Sequence, residues 1–268
     1  MDLRQLIGYD LGERELSYEP RDAILYALAV GARADELDLV YERDLRVLPT
    51  YACALGLWAV EMAGELGAYD RKRSLHAAQS LVMRVPMPRI GRIRSRGSIV
   101  AVWDKGKATI VDIAVTADIF TATYTIFLPG VGNWGGSPGP ESEKAVPVAR
   151  AATVSYPTSP DLAALYRLTG DLHPIHIDPA IARANGFDRP ILHGLCTLGI
   201  AARALAGPAG AHPADLTSLS ARLSAPVLPG DTVTLFSSPA RGRLAFEAAV
   251  GDKLVLKNGH ASYAQLAN

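Results

Sequence analysis

The chain has 268 residues, 49% of them hydrophobic, and its 27 basic side chains balance its 27 acidic ones. That length can bury one large core or two smaller ones, and the zero net charge argues against nucleic acid as a partner. No run approaches the roughly 18 apolar residues of a membrane span and the charged N-terminus is unlike a signal peptide, so we expect a cytoplasmic protein without a membrane partner.

The first part of the chain combines predicted helices with predicted strands. Residues 18–31 are expected to form a helix, because Pro20 suits its first turn and Gly31 its end. A second helix is predicted over residues 51–66. Residues 74–130 contain several runs rich in β-branched and aromatic residues, separated by Pro and Gly, and this pattern indicates strands.

A stretch rich in Gly, Pro and Ser divides the chain near its middle. We expect a linker at residues 131–150, between an N-terminal half at residues 1–130 and a C-terminal half at residues 151–268. The C-terminal half should hold an apolar helix at residues 195–207, followed by four strands.

The two halves share a weak internal repeat. Both are predicted to contribute several antiparallel strands, and only the second keeps a long apolar helix directly before its strands. A sheet wrapped around a buried helix is a hot-dog arrangement. The repeat therefore favours an α+β protein built from two such units.

A polar segment of the C-terminal half holds the residues best suited to chemistry. Asp171, His173 and His176 fall within six residues, in a segment kept irregular by Gly170 and Pro174. Loops on a rigid scaffold often carry functional sites. An Asp and a His that face one water molecule can move protons to and from a substrate.

The start of the apolar helix offers a second chemical group. The first amides of a helix have no partner within it and its dipole favours negative charge, so a main-chain N–H there can stabilise an oxyanion. His193 and Gly194 occupy this position, and a glycine leaves room for a ligand.

The residues alone leave plainer interpretations open. An Asp after Gly is often only a turn residue, and a His in a loop is more often structural than catalytic. Asp178 is expected to cap a short helix that begins at Pro179. The spacing of His173, His176 and Asp178 also fits part of a metal site, but no further ligand cluster supports one, so we expect no metal.

The polar segment resembles the signature of the (R)-specific 2-enoyl-CoA hydratases, also called MaoC-like hydratases, and in particular the hydratase part of the peroxisomal multifunctional β-oxidation enzymes. The matching residues are Tyr166, Thr169, Gly170, Asp171, Leu172, His173, Pro174, Ile175 and His176. Four further segments are similar to the family: LPT at 48–50, LHAAQ at 75–79, GVGNWGG at 130–136 and PILHGLCT at 190–197. The resemblance covers nearly the whole chain.

This resemblance implies a double hot-dog fold whose N-terminal half has a reduced or missing central helix, which makes room for a long acyl chain. It implies hydration of a trans-2-enoyl-CoA to an (R)-3-hydroxyacyl-CoA, or the reverse dehydration. Asp171 and His176 would form the acid–base pair, with His176 favoured as base, and Gly194 would supply the oxyanion-hole amide. The supporting residues would be Gly170, His173 and His193. The family is generally homodimeric and needs no cofactor, since coenzyme A is part of the substrate.

One residue departs from the family pattern, which usually has Asn where this chain has His173. A neutral His also donates and accepts one hydrogen bond, but it is larger and can become charged. We expect catalysis to be retained, because Asp171, His176 and Gly194 are all present. The alternatives are a pocket retuned for an unusual substrate and a weak activity.

Candidates for contact with the acyl-CoA substrate lie outside the polar segment. They are His76, Gln79, Arg92 and Arg189. The first two belong to the LHAAQ segment, and the arginines are candidates for the phosphates of coenzyme A. Each has a plainer alternative as an ordinary strand or solvated residue. The acyl tail is expected along the helix that contains Trp58 and Met62.

Two other functions stay open. The first is a dehydratase for a carrier-protein-bound or pathway-specific 3-hydroxyacyl thioester, which would use the same residues. The second is a non-catalytic acyl-CoA binding protein in which His173 has silenced the site.

Overall fold

A single antiparallel sheet organises the molecule. The computed structural model describes residues 3–70, 73–141, 148–240 and 243–264. Ten strands are formed: β1 (Asp10–Tyr18), β2 (Leu75–Met83), β3 (Gly91–Asp104), β4 (Ala108–Ala117), β5 (Phe120–Pro129), β6 (Ala152–Pro157), β7 (Leu216–Leu223), β8 (Thr232–Ala240), β9 (Arg243–Val250) and β10 (Lys253–Tyr263). They lie in the order β1-β3-β4-β5-β2-β7-β10-β9-β8-β6.

Each half of the chain supplies five neighbouring strands of this sheet. The halves meet where β2 pairs with β7, in a register that places Gln79 opposite Ala221. Alternation of buried and partly exposed residues fixes which face packs inward, as in β5, where Phe120, Ala122 and Tyr124 are fully buried.

Seven α-helices accompany the sheet. They are α1 (Pro20–Ala29), α2 (Leu37–Val40), α3 (Tyr51–Leu55), α4 (Trp58–Glu65), α5 (Leu162–Tyr166), α6 (Pro179–Ala184) and α7 (Gly194–Leu205) among the described residues. None of the helices in these ranges has both the length and the apolar character needed to cross a membrane.

Helix α7 is the central helix of the C-terminal half, as predicted. It packs against β6, β7, β8 and β10. Its side chains Leu195, Leu198, Ile200 and Leu205 are almost completely buried. Each aliphatic side chain removed from water in this way stabilises the fold by about 1.5–3 kcal/mol.

In the N-terminal half, the matching position holds two short helices instead of one long helix. The predicted helix over residues 51–66 is interrupted after α3, which packs against β5, whereas α4 packs against β1, β3 and β4. At the break, the Leu57 amide bonds to the Ala54 carbonyl at 3.3 Å and not to the Cys53 carbonyl, and a Cβ at Gly56 would be 2.5 Å from the Tyr124 Oη. The same hydroxyl donates to the Cys53 carbonyl at 2.6 Å. The arrangement is the predicted double hot-dog fold with a reduced N-terminal helix.

The predicted helix over residues 18–31 is confirmed as α1, although Tyr18 belongs to β1. Helix α1 crosses onto α7 of the other half, where a Cβ at Gly199 would lie 2.6 Å from the Val30 Cγ1. Cys196 and Arg203 of α7 donate hydrogen bonds to the carbonyls of Ala29 and Val30. The halves are therefore interlocked through helices as well as through the sheet.

Strands β1 and β6 were not expected from the sequence, and they are the two edges of the sheet. The predicted domain boundaries at 130 and 150 stay a prediction. The first residues of the proposed linker fold back on the turn between β3 and β4, since Asp104 accepts hydrogen bonds from the amides of Asn133 and Gly135. Trp134 also donates to Thr109 at 2.9 Å.

Candidate active site

A cavity of about 620 Å³ lies between the two halves. The N-terminal half contributes Leu57, Val60 and Tyr69 to its wall, and the C-terminal half contributes Asp171, His176 and Gly194. The structure thus brings the three residues predicted as catalytic to one cavity.

Asp171 enters the cavity because the chain turns sharply before it. A short 3-10 helix, Arg167–Thr169, ends at Gly170, whose φ of 138° is a conformation that only glycine adopts without strain. The Asp171 Oδ1 accepts a hydrogen bond from the His173 amide at 3.1 Å. The Oδ2 faces the His176 Nε2 at 3.9 Å. That separation is too long for a direct hydrogen bond and suits a small bridging group.

His176 is held with one nitrogen presented to Asp171. Its Nδ1 lies 2.8 Å from the Ile191 carbonyl oxygen and donates to it, so the neutral ring keeps an unprotonated Nε2. Burial lowers the pKa of His176 below its usual value, although the Asp171 carboxylate acts in the opposite direction. At neutral pH this ring is therefore an uncharged proton acceptor.

His193 supports both members of the pair. It is only 1% exposed, and its ring stacks on the His176 ring at 3.6 Å between centroids and 25° between planes. Its Nε2 donates to the Asp171 carbonyl oxygen at 3.1 Å. Burial lowers the pKa of His193 to about 3, so this ring is also neutral at physiological pH.

His173 stands where the family pattern has Asn, and it makes a hydrogen bond that an Asn side chain could also make. It precedes the 3-10 helix Pro174–His176, and its Nδ1 accepts a hydrogen bond from the Ile175 amide at 3.3 Å. An Asn side-chain oxygen could accept the same bond. The substitution therefore preserves the turn that carries His176.

Gly194 is the first residue of α7 and lines the cavity, so its amide has no partner inside the helix. A Cβ at this position would lie 2.8 Å from the Leu223 Cδ1. An alanine here would require the Leu223 side chain to shift, and the N-terminus of α7, where the helix dipole favours negative charge, lies at the cavity.

Comparisons with known proteins fit this geometry. Residues 16–130 match the family described as the MFE-2 hydratase 2 N-terminal domain, and residues 141–254 match the MaoC like domain. The 3-hydroxyacyl-thioester dehydratase Y of Mycobacterium tuberculosis is 35% identical over 91% of this chain and 92% of its own length. The peroxisomal enoyl-CoA hydratase 2 of Arabidopsis thaliana is 33% identical over 85% and 84%. The chain belongs to the MaoC-like dehydratase family.

A solved structure extends the likeness to three dimensions. A MaoC-like dehydratase from Phytophthora capsici superimposes with a TM-score of 0.89 at 25% identity, covering 99% of this chain and 98% of the other. The whole described fold is therefore that of the MaoC-like dehydratases.

Of the predicted substrate contacts, His76 and Arg189 line cavities, whereas Gln79 and Arg92 do not. His76 lines the cavity, and burial lowers its pKa to about 4. Gln79 is 2% exposed and lies behind the cavity wall, where it donates to the Ser80 carbonyl at 3.0 Å. Arg189 lines a second cavity of about 450 Å³, which shares Phe187 with the first.

Arg92 is not brought to either cavity of this MaoC-like protein. It is exposed on β3 and pairs with Glu19 at 3.3 Å. Its neighbour Arg96 pairs with Asp10, and the register places Arg94 opposite Glu15. The arginines of β3 thus lie opposite acidic residues on and beside β1. These cross-strand pairs explain the row of arginines without a bound ligand.

Several cavity residues were missed by the sequence analysis. Ser224, Ala225, Pro226 and Val227 continue from β7 along the cavity wall, and the Val227 carbonyl accepts a hydrogen bond from the Leu192 amide at 2.8 Å. This segment had been predicted only as part of a strand ending in a turn. The helix expected to hold the acyl tail does reach the cavity, through Val60 and Glu61 of α4 and through Leu57, the residue before it.

The same catalytic cluster has the composition of a metal site. Asp171, His176 and His193 each offer one potential ligand atom, and these atoms lie within 4.8 Å of one another. Hydrogen bonds to main-chain oxygens already engage His176 Nδ1 and His193 Nε2, which leaves one nitrogen of each ring. The expectation of a metal-free site stays a prediction, and chelation tests it directly.

Proposed function

We propose that this MaoC-like protein adds water to trans-2-enoyl-CoA esters to give (R)-3-hydroxyacyl-CoA, or runs the reverse dehydration. The observation that carries the proposal is the 3.9 Å pair of Asp171 Oδ2 and His176 Nε2 in a cavity that also receives the N-terminus of α7. The names of the two relatives describe the two directions of such a reaction, and they support this assignment.

The pair can hold and split one water molecule. A water between the two side chains donates one hydrogen bond to the Asp171 carboxylate and the other to the His176 Nε2, and the proton that faces Asp171 stays on the oxygen throughout. As the water oxygen attacks C3 of the enoyl group, His176 accepts the second proton and becomes an imidazolium. His176 then returns this proton to C2, so that the elements of water are added across the double bond and both side chains are restored.

The negative charge of the intermediate develops on the thioester oxygen. In this proposal the Gly194 amide donates a hydrogen bond to that oxygen, assisted by the dipole of α7. Because the donor is part of a helix buried against the sheet, it needs little reorganisation as the charge forms.

The cavity gives the substrate a direction. The acyl group would extend towards Leu57, which precedes α4, and Val60 on α4, where the shortened helices leave room. The coenzyme A portion would leave past Phe187, next to the second cavity with Arg189 and Lys253. These two cations suit the phosphates of coenzyme A.

The test is hydration of short, medium and long 2-enoyl-CoA esters, followed by loss of the conjugated thioester absorbance. We expect turnover by the wild-type chain and none above a few per cent by Asp171→Asn. Asp161→Asn is the matched control, because Asp161 is exposed and makes no capping bond at the start of α5. That variant should keep wild-type activity.

Three results would contradict parts of the proposal. Equal activity of Asp171→Asn and wild type would remove Asp171 from the reaction. Loss of activity after chelation, restored by a divalent metal, would make the Asp171–His176–His193 cluster a metal centre. Turnover of carrier-protein esters alone would change the substrate from coenzyme A to a carrier protein.

We also propose that the chain is a homodimer in the cytoplasm. Exposed apolar side chains on the sheet, such as Val82 at 51% and Val100 at 48%, support self-association. Light scattering at several concentrations checks the assembly, and imaging of a tagged chain checks the compartment. A monomer at every concentration would overturn the first proposal.

A further inference from the structure

A group of buried polar atoms lies behind the catalytic pair and has no role in the reaction described so far. The Tyr166 hydroxyl, the Tyr26 hydroxyl and the His193 Nδ1 are all buried, and the described residues supply no hydrogen-bond partner for any of them. Buried polar groups in proteins are almost always partnered, so such a cluster calls for a physical explanation.

The rings that carry these atoms are in contact. Tyr166 and His193 lie 4.8 Å apart between centroids, and Tyr26 and Tyr166 lie 6.0 Å apart. Tyr166 is fully buried, and it is the residue that precedes the 3-10 helix leading to Asp171. The phenol is thus placed between the hydrophobic core and the imidazole that supports the site.

The hydrogen bonds of His193 determine what its Nδ1 can do. Because Nε2 donates to the Asp171 carbonyl oxygen, the neutral ring carries its proton on Nε2, and Nδ1 is an acceptor. A phenol hydroxyl is a donor, and Tyr166 is the neighbouring ring that carries one. Donation to Nδ1 would fix the tautomer that binds Asp171, as outer partners do for other functional histidines.

We propose that Tyr166 is a positioning residue that acts through His193: its hydroxyl and the His193 Nδ1 share one buried bridging water, which donates to the Nδ1 and thereby fixes the Asp171 main chain and the stacked His176 ring. The proposal rests on the hydratase function for its kinetic part. It explains why an aromatic residue stands five positions before Asp171.

The decisive variant is Tyr166→Phe, which removes only the hydroxyl. We expect kcat to fall about tenfold and KM to change less than twofold, since one hydrogen bond to a positioning group is lost and the cavity is untouched. Nitrogen-15 NMR of the histidine rings should show the His193 Nδ1 signal shifted to that of a nitrogen without a hydrogen bond, with a second tautomer appearing.

A matched control separates this role from general stability. Tyr18→Phe removes another buried hydroxyl, which donates to the Pro88 carbonyl in the N-terminal half and lies outside the cavity lining. That variant should lose stability to a similar degree while keeping kcat and the His193 spectrum. A double-mutant cycle with His193→Phe adds a second check, because the hydroxyl should contribute nothing once the Nδ1 is removed.

The outcomes are distinct. A tenfold loss of kcat with a changed His193 spectrum and a non-additive cycle supports the proposal. An unchanged His193 spectrum overturns it, whatever the activity, and so does an additive cycle. If the wild type hydrates no ester, the proposed function fails, while the NMR comparison of wild type with Tyr166→Phe still decides whether the hydroxyl fixes the tautomer.

Discussion

The two halves of the sheet are alike in their strands and unlike in their helices. Each contributes five strands, but the C-terminal half encloses the 12-residue α7, whereas the N-terminal half holds α3 and α4, of five and eight residues. The intact helix brings Gly194 to the cavity beside Asp171 and His176, and the interrupted one leaves wall space at Leu57 and Val60. In the proposed function, the C-terminal half therefore supplies the acid–base groups and the N-terminal half supplies the space for the acyl chain.

Breaking the catalytic half should have the largest effect. We expect His176→Ala to lower kcat by about a hundred- to ten-thousandfold, because the variant loses the group that accepts and returns the proton. Stopped-flow or steady-state assays of enoyl-CoA hydration measure the loss, and thermal unfolding verifies that the variant is folded. More than a tenth of the wild-type rate would show that His176 is not the base.

A larger residue at the N-terminus of α7 should have the next largest effect on kcat. Gly194→Ala places a Cβ 2.8 Å from the Leu223 Cδ1, and we expect the resulting shift to move the amide away from the thioester oxygen of the proposed substrate. We expect kcat to fall about ten- to a hundredfold, since small displacements of a catalytic group cost that much. The double variant Gly194→Ala with Leu223→Ala should recover part of the loss, and absence of any recovery would contradict the steric explanation.

A larger side chain in the cavity wall of the N-terminal half should change the preference for acyl-chain length and leave the acid–base chemistry intact. Val60→Trp reduces the space beside α4, so we expect kcat/KM for a long-chain ester to fall about tenfold relative to a short-chain ester. Rates with the shortest ester should stay close to wild type. An equal change for every chain length would mean that the acyl group does not extend towards α4.

The buried histidine of the catalytic half should make stability depend on pH. At pH 5 the unfolded chain protonates His193, whose usual pKa is 6.5, but the folded chain does not, because burial lowers its pKa to about 3. The neutral His193 ring therefore makes its full contribution to the free energy of unfolding above about pH 6.5, and this contribution is lost as the pH falls towards 3. The slope is about 1.4 kcal/mol per pH unit, and His193→Phe should reduce it by that amount in urea titrations between pH 6 and 4.

The smallest expected effect is at the position that departs from the family. His173→Asn should change kcat less than about threefold, because an Asn oxygen can replace the Nδ1 that accepts from the Ile175 amide. His173→Ala serves as the contrast and should be clearly slower, since it removes the acceptor. A large gain of activity in His173→Asn would indicate that the histidine retunes the pocket.

Prediction from the sequence succeeded where local pattern and chemistry coincide. The apolar run of α7, the glycine before it and the polar segment with Asp171 and His176 each carry a short-range signal, and the structure brings these groups into one cavity. The cap of α6 was equally local: the Asp178 Oδ1 accepts from the Ala180 amide at 2.7 Å.

The features that the sequence analysis missed share a physical cause: each depends on residues that are far away in the chain. Strands β1 and β6 lie at the sheet edges. Charged residues interrupt the hydrophobic alternation of β1, as is common at a sheet edge, whereas β6 has only six residues and none of them is fully buried. Missing β1 also misplaced Arg92, because the acids that balance the arginines of β3 are on and beside that strand. The interruption after α3 depends on Tyr124, a residue 68 positions beyond Gly56 in the chain.

The crossing of α1 onto α7 bears on how this architecture can be recombined. A chimera that joined the first 130 residues of one relative to the remainder of another would preserve each run of strands, yet it would mismatch Gly199 with its partner Val30 and Arg203 with Glu36, which it contacts at 3.0 Å. The exchangeable unit is therefore not the half that the chain order suggests. It is the C-terminal half together with α1, the helix of the N-terminal half that covers it, and domain-swapping libraries should keep α1 and α7 from the same parent.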